Sequence, residues 1–213
     1  MRERFGELER RFSLSLSDYE ACGGTQHYDR NYFISNRNGD FPTLSSLRRS
    51  VRDFARTPVD TKLITDAIEV AQCTPSVCNR QGWHVFLVTK SEAIEIFKQS
   101  HNGFGREDQF LSVLLVICFS KSSFEYPLER HQGYTDGGLF SMSVMHALTH
   151  AGLASCPLNA NITQTAERRL RQCMQIPNEY GIVMFIAVGH YPEVTITAVS
   201  QRDEARKKLT FVT

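Results

Sequence analysis

Between Asp136 and Gly152 the chain reads DGGLFSMSVMHALTHAG, apolar or small around most of a helical circumference. A helix without a polar face has to be buried on nearly all sides. Asp136 stands where it can cap the start, and Gly152 where it can stop the helix. In a chain of 213 residues the interior is limited. Such a helix is covered either within a three-layer domain or with help from a second subunit.

Three segments can form a sheet for that helix to lie on. WHVFLVT from Trp83, SVLLVICF from Ser112 and IVMFIAVG from Ile182 are rich in β-branched and aromatic residues without strict alternation. That is the pattern of strands covered on both faces. Helical periodicity separates them. Leu63, Ile64, Ala67, Ile68 and Ala71 keep a 3.6-residue repeat behind a capping Asp60 and stop before Pro75. Ser91 can cap a helix through Ile94 and Phe97, and another runs from about Thr163 through AERRLRQCM toward Pro177. Residues 1 to about 40 differ: after a short helical pattern at Phe5, Leu8 and Phe12 they are polar and irregular, with turn-forming pairs at Gly23-Gly24 and Asn38-Gly39. The expectation is an N-terminal extension over residues 1–42 and one domain over 43–213.

Charge and cysteine usage narrow the function classes. With 24 basic and 23 acidic residues the formal charge is +1, so no global field draws in nucleic acid or an anionic membrane. A small-molecule partner is the expectation. The longest apolar runs fall well short of the roughly 20 residues that span a bilayer, and MRERFGELERRF lacks the continuous apolar stretch of a secretory signal. The location expected is cytoplasmic. Six cysteines, none spaced CxxC, indicate neither a disulfide scaffold nor a zinc site. Cys118 reads as core; Cys73, Cys78 and Cys156, beside turn residues, can either pack or line a pocket. His146 and His150 lie four apart on one helical face, but the glutamate of an HExxH zinc motif is missing, so packing is the reading preferred for them.

Four short segments can carry chemistry. RRSVR at Arg48 to Arg52 offers three guanidinium groups and a hydroxyl within five residues. It is either a phosphate site, since guanidinium donors match phosphate oxygens, or a solvated basic face. PSVCNRQGW at Pro75 to Trp83 is a polar loop feeding a strand; its amides suit the edge of a heteroaromatic ring, or it is simply a connection. GLASCPLN at Gly152 to Asn159 and GHYP at Gly189 to Pro192 read alone as punctuation.

Together and in this order, the four segments resemble the nitroreductase family of flavoenzymes. The resemblance covers Thr43 to the C-terminus, about four fifths of the chain. It implies an α+β, three-layer α/β/α fold with a central, mostly antiparallel sheet, assembled as an intertwined homodimer. It also implies FMN as cofactor, with Arg48, Arg49, Ser50 and Arg52 on its phosphate and ribityl chain. Pro75, Ser76 and Asn79 of the partner subunit would face the isoalloxazine. Pro157, Leu158 and Asn159 would pass its reactive edge, where a backbone N–H near Leu158 to Ala160 hydrogen-bonds flavin N5. A basic residue of SQRDEARKKL reaches the phosphate, either Arg206, our choice, or Arg202. Asn102 matches an asparagine that some members direct at the flavin.

The activity implied is hydride transfer from NADH or NADPH through FMN to an electron-poor acceptor such as a nitroaromatic or quinone, in a ping-pong cycle. No triad, zinc signature or Walker motif competes with it. Gly82 replaces the usual proline of the family's QPW-like segment, and Asn159 stands where many members carry an acid. These departures bear on substrate and donor preference. Reductive dehalogenation, flavin fragmentation and flavin binding without turnover are the alternatives that fold alone does not separate.

Overall fold

The computed structural model describes residues 24–104, 109–124 and 126–212. The helical pattern at Phe5, Leu8 and Phe12 and the first glycine of the Gly23-Gly24 pair lie outside them. The segment read as irregular holds strand β1 (Thr25–Asp29) and helix α1 (Arg30–Asn36). Helix α2 (Phe41–Leu47) follows, with Asp40 accepting a hydrogen bond from Thr43 N at 3.0 Å. The reason these elements escape sequence reading is size: one seven-residue helix offers a single apolar anchor, Phe33, whose ring stacks on Tyr191 at 4.1 Å.

The patterned helices form largely as expected. Helix α3 (Thr61–Ala71) is capped by Asp60, whose side chain accepts from Lys62 N at 2.9 Å. After strand β2 (Trp83–Val88) comes helix α4 (Ser91–Ser100). Its N-cap is Lys90, with no side-chain bond, so Ser91 is the first helical residue and not the cap. Strand β3 (Val113–Ser120) leads to helix α5 (Gln132–His150). Strand β4 (Leu153–Asn159), helix α6 (Gln164–Met174, capped by Thr163), strand β5 (Tyr180–His190) and strand β6 (Val194–Ala198) complete the order.

Two expectations about α5 and its surroundings need correction. Asp136 does not cap the helix; α5 begins four residues earlier, and Asp136 is a buried residue of its second turn. GLASCPLN is not mere punctuation, because seven of its residues form β4, paired along its whole length with β5. Cys156 is accordingly buried in the core. Gly152 does end the helix, in the left-handed region at φ +79°, where a side chain would be strained.

The main sheet has the order β2-β3-β5-β4, antiparallel throughout. Successive side chains of a strand point to opposite faces, and β3 shows it: Leu114, Val116 and Cys118 join one cluster, while Val113, Leu115 and Ile117 join another. The first face is covered by α4 through Ala93, Ile94 and Phe97 and by α6 through Leu170 and Met174. The second is covered by α3 through Ile64, Ala67 and Ala71 and by α5 through Phe140, Val144 and Leu148. The result is the three-layer α/β/α arrangement expected.

The chain divides into two compact units. The larger spans residues 28–195; among the described residues the smaller comprises 24–27 and 196–212. The boundary expected at residue 42 falls inside α2, and Phe33 belongs to the core of the larger unit. In the smaller unit Val199 N donates to Gly24 O at 2.9 Å, and a short 3-10 turn spans Ala205–Lys207. Among the described residues no helix is long and apolar enough to cross a membrane.

Phe140, fully buried and stacked on Trp83 at 4.7 Å, ties α5 to β2. Phe140→Ala is expected to cost about 3–5 kcal/mol in urea denaturation. A loss below about 1 kcal/mol would show that α5 is held by other contacts.

Candidate functional site

The basic segment after α2 is laid in extended form beside β4. Val51 N donates to Ser155 O at 3.0 Å, and Ser50 bridges Ser155 in parallel register. Four residues on, Ala55 N donates to His190 O at 3.0 Å. The Phe54 ring packs on Gly189, where even a Cβ would stand 2.5 Å from it. Three of the four sequence segments, RRSVR, GLASCPLN and GHYP, thus meet on one side of the fold.

The charges of that segment reach several neighbours. Burial pushes the Cys156 thiol upward, and the nearby Arg52 and Arg48 guanidiniums offset part of that push. His146, on α5, is held below the ordinary imidazole range by burial first and by Arg48 second. Tyr191 is pushed up by burial, again with Arg48 opposing. Arg48 therefore sits among β4, the end of β5 and the C-terminal half of α5.

Arg49 carries the plainest sign of an anion-binding position. Its guanidinium lies 5.9 Å from the Tyr28 ring, and its Nε is buried with no hydrogen-bond partner among the described residues. Ser155 Oγ is buried and unpartnered as well. Buried polar groups are ordinarily hydrogen-bonded, so orphaned donors beside a cluster of arginines fit a phosphate group.

The PSVCN loop is built differently and lies elsewhere. A 3-10 turn spans Val77–Asn79, and Cys78, Asn79 and Gln81 all take positive φ. Ser76 braces it, its Oγ accepting from Gln81 N at 2.9 Å and its carbonyl from Asn79 N at 3.0 Å. Asp136 anchors it to α5: one carboxylate oxygen accepts from Val77 N at 3.2 Å, the other from the Gln132 amide at 2.7 Å. Arg80 closes the far side, bonding Ser123 O at 3.1 Å and Glu129 at 2.7 Å. Pro75 and Asn79 are exposed.

The two halves of the expected site are therefore apart within one chain. Asp136 and His146 are ten residues apart on α5, which at 1.5 Å per residue is about 15 Å of helix. Pro75, Ser76 and Asn79 stand at its N-terminal end. Arg48 lies toward the other end, and Ser50, Arg52, Pro157, Leu158 and Asn159 belong to its segment and to the β4 strand beside it. Arg206 is in the smaller unit, exposed and paired with Glu204.

Sequence reasoning missed Asp136 as an anchor; the signal available was an apolar stretch that continues upstream through Gly133 and Tyr134. It also missed His101, buried and bonded to the Asn159 carbonyl at 2.9 Å. His146 packs against the Phe41 ring at 5.7 Å, and His150 bonds Arg37 O at 3.0 Å. No group of three or more potential ligands able to hold a metal occurs among the described residues.

Residues 46–190 match the model of the nitroreductase family. The chain belongs to the nitroreductase family. It is similar to a protein of Archaeoglobus fulgidus with the provisional name NADH dehydrogenase/NAD(P)H nitroreductase, 23% identical over 146 residues, covering 68% of this chain and 82% of that one. It is also similar to the 4-nitrobenzoate reductase of Pseudomonas putida, 40% identical over 84 residues, 39% of this chain and only 30% of that enzyme. Among solved structures, a Staphylococcus epidermidis protein provisionally described as an NAD(P)H:FMN oxidoreductase superposes with a TM-score of 0.70 at 18% identity, covering 83% of this chain and 97% of that one. The chain is a nitroreductase-family oxidoreductase of the α+β fold described above.

Removing the Asp136 anchor leaves the Val77 N–H without its partner, a cost of about 1–3 kcal/mol. Asp136→Ala is expected to speed hydrogen exchange across residues 76–81 while leaving β3 and β5 protected. Unchanged exchange in the loop would show that Ser76 alone holds it.

Proposed function

We propose that the chain is an FMN-dependent oxidoreductase that draws hydride from NADH or NADPH and delivers it to an electron-poor small molecule, a nitroaromatic, a quinone or a similar acceptor. When bound, FMN supplies the redox chemistry, taking up hydride at N5 from the nicotinamide and releasing it to the acceptor in ping-pong order. The protein supplies binding, orientation and water exclusion.

The observation that carries this reading is the Arg48–Arg52 segment beside β4, with Arg49 Nε buried and unpartnered. Arg48, Arg49, Ser50 and Arg52 hold the phosphate and ribityl chain. Pro157, Leu158 and Asn159, at the end of β4, border the reactive edge of the ring. Family membership and the NAD(P)H-linked names of its relatives support the donor.

The working unit is a homodimer. Within one chain the Pro75–Asn79 loop is held at the opposite end of α5 from Arg48, so a second copy supplies Pro75, Ser76 and Asn79 to the ring held by the first. The surface supports it: Leu139 and Met142, one turn apart on α5, are 48% and 40% exposed, and Phe41 near by is 71% exposed. Apolar area of this kind marks an interface more often than a solvated face.

Protein reconstituted with FMN is expected to lose the visible flavin absorbance under anaerobic NADH or NADPH and to recover it on adding a nitroaromatic or quinone. FMN that binds but is not bleached by either donor overturns the activity. Recovery with a halogenated phenol alone moves the assignment to dehalogenation. Arg49→Ala is expected to weaken FMN about 10- to 100-fold; unchanged affinity would remove the observation on which the cofactor rests.

A further inference from the structure

Helix α1 forms one wall of a hollow of about 210 Å³ in the larger unit. Arg30 and Ile34 of α1, Thr57, Gly152 and His190 line it. Backbone contacts hold these walls together. Arg30 Nε donates to Tyr191 O at 2.9 Å and Arg30 N to Glu193 O at 3.1 Å, which ties α1 to the end of β5. Phe33 adds its stack on Tyr191 at 4.1 Å. Ala55 N, donating to His190 O at 3.0 Å, brings the stretch that carries Thr57 to the same place.

A second guanidinium reaches the edge of this hollow. Gly152 takes φ +79°, and a Cβ there would stand 2.7 Å from Arg37 Nη1 and 3.4 Å from Ile34 Cδ1. Arg37 is the C-cap of α1, and His150 Nδ1 donates to its carbonyl at 3.0 Å. Its guanidinium, half-buried, has no hydrogen bond or ion pair among the described residues. The Thr57 hydroxyl and the His190 imidazole have none either. Arg30 does meet a carboxylate, Glu193 at 2.8 Å, but that side chain is 86% exposed and engages only Nη1. No acid lines the hollow among the described residues. Two guanidiniums, an imidazole and a hydroxyl thus gather about one space with no acid in its lining. Guanidinium donors match the oxygens of a phosphate group in charge and geometry. The volume is below the roughly 300–1,000 Å³ of sites for drug-sized ligands, so the ligand is small.

We propose that this hollow binds a small phosphate-type oxyanion, either inorganic phosphate or the phosphate of a small phosphoester. Arg37 and Arg30 supply the charge, and Thr57 and His190 supply further donors. Arg30 and Arg37 precede residue 46, where the match to the family begins. The site therefore draws on sequence outside that match and stands independently of the flavin reading.

The test titrates full-length protein with inorganic phosphate at fixed ionic strength, with and without FMN, while following the Thr57 amide and His190 ring resonances. Saturable shifts are expected in both states. Arg37→Ala is expected to weaken phosphate about tenfold or more. Should that variant fail to fold, Arg37→Gln, which keeps the side-chain stem over Gly152, replaces it with the same expectation. Glycerol 3-phosphate, titrated in parallel, separates the two sources: tighter binding than phosphate assigns a phosphoester, equal or weaker binding the free ion. Shifts that do not saturate by about 10 mM, or that chloride reproduces, overturn the proposal. So does phosphate affinity that is unchanged in the Arg37 variant. Loss of the phosphate response on adding FMN would merge the hollow with the flavin site and overturn it as a separate one. Wild-type protein that fails to bind FMN defeats the flavin reading alone, and the titration without FMN still decides this site.

Discussion

Everything in the larger unit is arranged around the burial of α5 against the central sheet. Phe140, Val144 and Leu148 repeat at four-residue intervals and face Val113, Leu115 and Ile117 of β3 within one cluster. Each such side chain contributes about 1.5–3 kcal/mol when removed from water, so sliding the helix along the sheet would forfeit several at once. The helix therefore acts as a ruler. Its second turn holds the Ser76–Val77 loop through Asp136, and its C-terminal half faces Arg48 through His146. Packing thus fixes the separation between the Ser76–Val77 loop and the Arg48 segment.

That separation gives the exposed side of α5 its meaning. The same helix that buries Phe140, Val144 and Leu148 leaves Leu139 and Met142 in solvent. A sheet face cannot account for those residues, because both faces are already covered by helices. The homodimer proposed above would cover them and unite the divided site. One apolar stripe, Phe140, Val144 and Leu148, serves folding; with Leu139 and Met142 on the exposed side as well, the segment reads in sequence as a helix without a polar face.

What the sequence made legible follows the same physics. Long patterned elements were visible because many residues repeat one signal: α3 from Leu63 to Ala71, α6 from Thr163, and the strands β2, β3 and β5, of which β2, at the sheet edge, leaves His84 and Leu87 exposed. The site segment RRSVR was visible because charge density is a local property. What stayed hidden depends on partners distant in sequence. β4 was obscured by Gly152 and Pro157, which punctuate short windows, yet it is specified by pairing with β5. Asp136 looked like a cap because helix starts favour aspartate; its true partner, Val77 N, is 59 residues away. His101 carries no local pattern, and its bond to the Asn159 carbonyl joins residues 58 positions apart.

The anchoring contacts of the site share one feature: they end on backbone atoms. Asp136 grips the Val77 N–H, Val51 N meets Ser155 O, and His101 holds the Asn159 carbonyl. Backbone groups are present whatever residue occupies the position, so the site's geometry constrains path more tightly than side-chain identity. A fold shared at 18% identity over 83% of the chain is the expected consequence. At Gly82 a Cβ would press on Ser123 at 2.9 Å and crowd Phe124. The glycine at this position therefore lets the 121–124 segment close against the loop.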